Sequence, residues 1–274
     1  MGITYRQAIS TRLTSANGDS DRFGEVIDRS LSLDVDYGLT DRWAISASIP
    51  FTSNRYTGHD PHDPRPFPFL ADQRFLDDGR FHDGWADWAV YLRYQWRAKP
   101  FLITPFIGYS QPSRDYTFWA HSGAGNQQWA LQAGVHLGGF FAPPRQNLYW
   151  QAAYAYSFLQ PISHRRVNRG LISVELGYYI TPRLDAQVRI EHQNSYGDTI
   201  NLPDDFSNPD GSPNIGNIIY HDQLAASRTT TASVGLGYQL SERYALFVNY
   251  GRTLSAANAH IYDGIATLGI SRQF

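Results

Sequence analysis

Charged side chains set at every second position of apolar runs can line a water-filled passage and select what crosses it. In this chain the candidates are Arg6, Arg12, Asp34, Asp36, Asp87, Arg93, Glu175, Asp185, Arg189 and Glu191, joined on the same faces by Tyr91, Gln132 and His136. Two uses fit such a row. As a pore lining it sets the size and charge of whatever passes; as a set of arginine–carboxylate pairs it braces the wall that carries it. The two are compatible, because paired charges around a constriction also define it. The signs alternate, which argues against a dedicated anion track and favours small cargo with no strong charge preference.

Other residue clusters suggest other chemistry. The stretch Gly58-His-Asp-Pro-His-Asp-Pro64 has the composition of a metal site, and Asp198, Asp204, Asp205 and Asp210 could hold calcium. Neither spacing fixes a ligand geometry, and the second lacks the helix–loop–helix pattern of a calcium hand. No metal and no cofactor is therefore expected. Phe67, Phe69, Phe75 and Phe81 lie in the same polar, proline-rich stretch as the His/Asp cluster. Rings on an exposed loop reduce solubility unless covered, so the expectation is a loop folded inward as an aromatic gate, with packing against a rim as the alternative.

The elements that position these groups are strands. In residues 171–193, apolar side chains fall at Ile172, Val174, Leu176, Tyr178 and Ile180, then at Leu184, Ala186, Val188 and Ile190, around a tight Thr181-Pro182-Arg183 turn. Ser173, Glu175, Gly177, Asp185, Gln187, Arg189 and Glu191 alternate with them. A period of two gives a strand with one apolar and one polar face. The same turn signature recurs at Tyr37-Gly-Leu-Thr-Asp-Arg42 and Tyr238-Gln-Leu-Ser-Glu-Arg243, which predicts a repeated up-and-down meander.

The 274 residues are 15% aromatic and only 18% charged, yet the mean hydropathy is −0.41. A transmembrane barrel combines these values, because only every second strand residue meets lipid and the loops are polar. No run of about 18 apolar residues exists, so a transmembrane helix is excluded. A net charge of −2 gives no support for a nucleic-acid partner. Cysteine is absent, which suits an envelope protein. The start Met1-Gly2 reads as a mature chain whose signal peptide has been replaced by a start codon.

Twelve strands are expected, near 3–14, 27–39, 43–55, 84–97, 101–111, 126–140, 148–158, the two arms of 171–193, 227–240, 243–255 and 260–274. A loop at Ser15–Gly24 and a short turn at 98–100 fall among them, and the parity of the fifth strand is ambiguous at Phe106. The fold class is all-β: one antiparallel transmembrane β-barrel domain spanning 1–274, with long outer loops at about 56–83 and 196–226. An even strand count puts both termini on one side, with short turns there and long loops opposite. Tyr37, Trp43, Tyr94, Trp96, Tyr178, Tyr238, Tyr244 and Phe274 would form the aromatic girdle on the turn side; Trp88, Trp129 and Tyr250 lie toward the other. Phe274, closing an alternating strand, matches the C-terminal signal read by barrel-insertion machinery, although Arg272 departs from the apolar residue usual two places before.

The segments Asp36-Tyr-Gly-Leu-Thr-Asp-Arg-Trp-Ala-Ile-Ser-Ala-Ser-Ile-Pro50, Asp83-Gly-Trp-Ala-Asp-Trp-Ala-Val-Tyr-Leu-Arg-Tyr94 and Phe106-Ile-Gly-Tyr-Ser-Gln-Pro-Ser-Arg114 resemble the outer-membrane channels grouped as the phenol-degradation meta-pathway transporter-like family. The resemblance runs by order of elements from the second strand through the ninth. It implies a narrow twelve-stranded channel in the bacterial outer membrane for small, often aromatic or hydrophobic compounds, and it assigns no catalytic residue. The expected surroundings are outer-membrane lipid and lipopolysaccharide, with small-molecule cargo. Two other functions stay open: an inert or adhesive barrel whose loops bind a partner, and a lipid-hydrolysing barrel using His192 with Ser195, or His260, on its wall.

Overall fold

Alternating apolar and polar residues fold here as antiparallel sheet. The computed structural model describes residues 1–98 and 100–274, so the turn expected at 98–100 includes one residue, Lys99, outside the described set. Fourteen strands are described: β1 Gly2–Thr14, β2 Ser20–Gly38, β3 Trp43–Gly58, β4 His82–Trp85, β5 Asp87–Tyr94, β6 Trp96–Ala98, β7 Phe101–Pro112, β8 Ala130–Phe140, β9 Leu148–Leu159, β10 Val167–Thr181, β11 Leu184–Gly197, β12 Arg228–Gln239, β13 Tyr244–Ala257 and β14 His260–Arg272. Twelve of them form a closed ring, because β2 pairs with both β1 and β3 while β1 pairs with β14 from Gly2↔Ser271 to Leu13↔His260. Closure leaves no edge strand unpaired, as a lipid-embedded sheet requires.

The strands β4 and β6 stand outside the ring. The expected fourth strand, 84–97, breaks because Pro50, with no N–H to give, faces it from β3: Ala86 donates singly to the Pro50 carbonyl, and the pairing resumes one residue out of step at Ser48↔Ala89. The second difference is at the first loop. Ser20–Arg22 pair with Arg12–Thr14 past a bulge in β1, so β2 starts at Ser20 and the connection shrinks to 15–19. The polar run Asp19–Asp21 hides that extension from a reading by hydrophobicity.

The three recurrent turns share one cause. The hydroxyl of Thr40, Thr181 or Ser241 accepts hydrogen bonds from the backbone amides two and three residues on, at 3.0–3.3 Å. These turns lie with both termini at one end of the barrel. The longer connections 59–81, 113–129 and 198–227 lie at the other, and the last contains the short helices Ile215–Ile219 and His221–Leu224.

The apolar face of each strand points out and stays uncovered. Val174, Val188, Val234, Val248 and Leu268 are each at least half exposed, forming a belt far larger than a water-soluble surface carries. Below it Tyr37, Trp43, Trp96, Tyr178, Tyr238, Tyr244 and Phe274 are exposed at the turn end, as an interfacial girdle requires. Toward the loop end Trp85 packs edge-on against Phe51, centroids 5.2 Å apart, and Phe158 and Tyr196 are exposed. Among the described residues, buried apolar clusters sit where loops fold over the ring: Val167, Ile200, Leu202, Leu224 and Ala225 in one, Phe23, Val26 and Tyr56 in the other.

Candidate pore and its loop plug

Parity turns the polar face inward, and the interior groups find partners on nearby strands of the wall. Near the turn end Asp34 accepts from Thr4 at 3.1 Å and Ser48 at 2.7 Å, while Asp36 accepts from Ser46 and pairs with Arg93. Phe106, ambiguous from its neighbours, faces inward: its ring stacks on His136 at 5.0 Å and meets Tyr91 edge-on at 5.9 Å. It lies across Gly134, where a Cβ atom would strike it. Tyr149 lies across Gly177 in the same way and donates to Asp185 at 3.0 Å. Gln187 donates to Asn249 at 3.0 Å.

Midway up the wall, Arg189 donates from Nε to one carboxylate oxygen of Glu175 at 2.9 Å, with a terminal nitrogen 2.7 Å from the same oxygen, and reaches Glu191 at 3.7 Å. The Glu175 side chain is only 5% exposed, so the pair neutralises a charge that could not stand alone. Above it opens a cavity of ≈ 850 Å³ whose wall includes Arg6, Asp28, Glu175, Arg189, Glu191, Phe247 and Tyr262. Phe118, His121, Gly125 and Asn126 from 113–129, and Leu202, Asp222 and Ala225 from 198–227, close it from the loop end.

The plug is held by side chains from the wall. Asn54 donates to the Gly123 carbonyl at 2.7 Å, and Tyr116 donates to Asp87. Burial, then the Asp87 carboxylate, pushes the Tyr116 phenol above its ordinary range. Gln223 donates to the Asn126 carbonyl at 3.3 Å and ties the two loops together. Between them His62 stacks on Trp119 and His121, centroids 4.3 and 3.9 Å away. Burial, then the neighbouring His121 and His221, holds the His62 imidazole well below its usual range, and burial lowers His121 against the pull of Asp77.

Most of the expected interior row shares this face: Arg6, Glu175, Arg189 and Glu191 line the cavity, with Asp34, Asp36, Asp87, Tyr91, Arg93, Gln132, His136 and Asp185 at matching register elsewhere on the wall. Arg12 does not. The bulge between Ser10 and Arg12 reverses parity, so that Leu13 lines the cavity while Arg12 pairs with Asp263 at 2.8 Å.

The aromatic gate is also corrected. A 3₁₀ turn at Pro68–Leu70 buries Leu70 and leaves Phe67 and Phe69 exposed, their rings 5.5 Å apart. Phe75 lies under Arg65, and Phe81 lies against Arg29 and Arg55, which belong to the outward face. The mouth is filled instead by Tyr116, Phe118 and Trp119, in a segment whose lack of period hid them.

Three of the four acidic loop residues bond backbone amides instead: Asp198 accepts from Arg166, Asp205 from Asn201 and Asp210 from Ser212. His192 bonds Thr230 at 3.0 Å and Ser195 bonds Ser227 at 2.7 Å, so this pair is not assembled as nucleophile and base. Sequence reasoning missed Asp28, Tyr149, Asn249 and Tyr262. For Tyr149 a signal existed, since a glycine opposite an aromatic residue in a neighbouring strand marks a ring laid inward.

No family profile and no curated protein matches the sequence. Solved structures do match in shape. The COG4313 outer membrane channel from Pseudomonas putida F1 superimposes with a TM-score of 0.70 at 14% identity, over 100% of this chain and 94% of that one. The fold is that of an outer-membrane β-barrel. The NanC porin follows with a TM-score of 0.52 at 12% identity, covering 99% of this chain and 100% of its own. The β domain of the Bordetella autotransporter BrkA reaches 0.53 at 10% identity, covering 100% and 99%. This barrel architecture thus occurs both in channels and in the β domain of an autotransporter, and function must be argued from the interior.

Proposed function

We propose that this barrel is an outer-membrane channel for passive diffusion of small molecules, with compounds of aromatic or apolar body as its cargo. One observation carries the reading: a closed ring with lipid-facing valines and leucines outside encloses a ≈ 850 Å³ cavity with a polar, charge-paired wall. A barrel that only anchors a partner has no need of such a space. In this reading Arg6, Asp34, Asp36, Asp87, Tyr91, Arg93, Gln132, His136, Glu175, Asp185, Arg189 and Glu191 act as the selectivity wall. The long loops face the exterior, the turns the periplasm.

The aromatic preference rests on Phe118, Phe247 and Tyr262, which line the cavity beside hydrogen-bonding groups. The balanced charges oppose a strong preference for anions or cations. Solute uptake into proteoliposomes tests the class: small uncharged aromatic alcohols should enter faster than sugars of equal size. Equal rates for both would remove the aromatic preference, and no uptake of either would remove the channel.

A further inference from the structure

Nine histidines occur in the chain, and four of them meet in the plug. The His62 ring lies 3.9 Å from His121 and 5.2 Å from His221, and His121 lies 5.9 Å from His260. They arrive from four separate segments. Aromatic packing alone does not account for their polar atoms: the Nδ1 atoms of His62, His121 and His260 are enclosed and bond to no protein group. Buried polar atoms ordinarily have partners.

Two further details give the cluster a direction. The Nε2–H of His121 donates to the Asp60 carbonyl at 3.2 Å, which fixes the tautomer and leaves the Nδ1 lone pair bare. Metal-binding imidazoles are held in this way, through a hydrogen bond from the other ring nitrogen. Asp77, buried beside them, brings a carboxylate oxygen within 4.8 Å of a ring nitrogen of each of His62 and His121. Among the described residues this is the one group of three or more such side chains that converges.

We propose that His62, Asp77 and His121 bind a single divalent transition-metal ion of the zinc class, which ties the 59–81 loop to the 113–129 loop across the barrel mouth. Two imidazoles and one carboxylate suit zinc, cobalt or nickel, whereas magnesium and calcium prefer all-oxygen sets. A tetrahedral ion with bonds of about 2.1 Å sets its ligands about 3.4 Å apart, so the side chains close by at most about 1.4 Å as the ion enters. Water completes the coordination. The Asp77 oxygens now accept from the backbone amides of His62, His121 and Ser122, at 3.0–3.1 Å, and from the Ser122 hydroxyl at 2.7 Å. The hydroxyl can rotate away and free a lone pair for the ion. The amide bonds meanwhile keep both histidine backbones on the same carboxylate.

The test needs no transport measurement, so its failure and that of the channel reading are separable. The full chain, folded in detergent and stripped with a chelator, is titrated calorimetrically with Zn²⁺ at neutral pH; Co²⁺ then gives a visible absorption band reporting nitrogen ligation. One Zn²⁺ per chain is expected. His62→Gln and His121→Gln should each weaken binding about tenfold or more, and His59→Gln, exposed on the same loop, should not. Zinc should slow proteolysis within both loops, and His62→Gln should abolish that protection. Circular dichroism confirms that each variant is folded; if His121→Gln is not, the His62→Gln titration and the Co²⁺ band decide. Zinc binding that persists in the His62→Gln variant, or none by the folded wild type up to millimolar zinc, overturns the site. Binding without loop protection overturns the tie.

Discussion

Glu175 shows how a charged residue survives inside this wall: it is almost wholly enclosed, and Arg189 opposite it is 44% exposed to the cavity. Removing the arginine strands the carboxylate. Arg189→Met should therefore destabilise the barrel by about 2 kcal/mol, below the loss for a fully enclosed pair because Arg189 keeps contact with water. Urea unfolding should show this, and adding Glu175→Gln should recover most of it. Arg93 carries a different expectation, since it faces Asp36 near the turn end. Arg93→Glu should shift the reversal potential in a salt gradient toward cations; an unchanged potential would place Arg93 off the conducting path. At this scale the alternation of side chains made most of the interior row legible. It failed at Arg12, where a bulge inserts one residue, and at Tyr149, because an aromatic residue in a barrel strand is read by default as facing lipid.

The strands themselves were the most legible elements. Period two, three copies of one turn and the even count led to the ring, and the hydroxyl of Thr40, Thr181 or Ser241 explains why the turn repeats. What stayed hidden were elements set by partners distant in sequence. Pro50 interrupts the fourth wall position from the neighbouring strand, and the turn at Pro68–Leu70 that buries Leu70 leaves Phe67 and Phe69 outward. The 113–129 and 198–227 segments have no period, so nothing in their own sequence announced that they cap the cavity. If the plug limits flow, replacing residues 201–224 with a short Gly-Ser linker should raise single-channel conductance severalfold. Conductance that stays at the wild-type level would put the limiting constriction lower, around Arg93, Phe106 and His136.

For the whole molecule, the uncovered apolar belt and the enclosed polar interior require each other. A closed twelve-stranded sheet is wide enough to retain an internal space after its side chains are placed, whereas about eight strands are filled by theirs. Phe274 is 86% exposed at the turn end with Arg272 stacked 4.8 Å above its ring, and we propose it as the residue that insertion machinery reads. Phe274→Ala should slow assembly into the outer membrane in cells, read as unfolded chain in the periplasm, while leaving refolding in detergent unchanged. Equal losses in both would assign Phe274 to stability instead. The central claim, that the ring encloses a conducting path, is met most directly by single-channel recording of the purified full-length chain in planar bilayers. Discrete, small conductance steps with weak ion selectivity are the predicted result, and a folded, inserted barrel that passes no current at any voltage would contradict it.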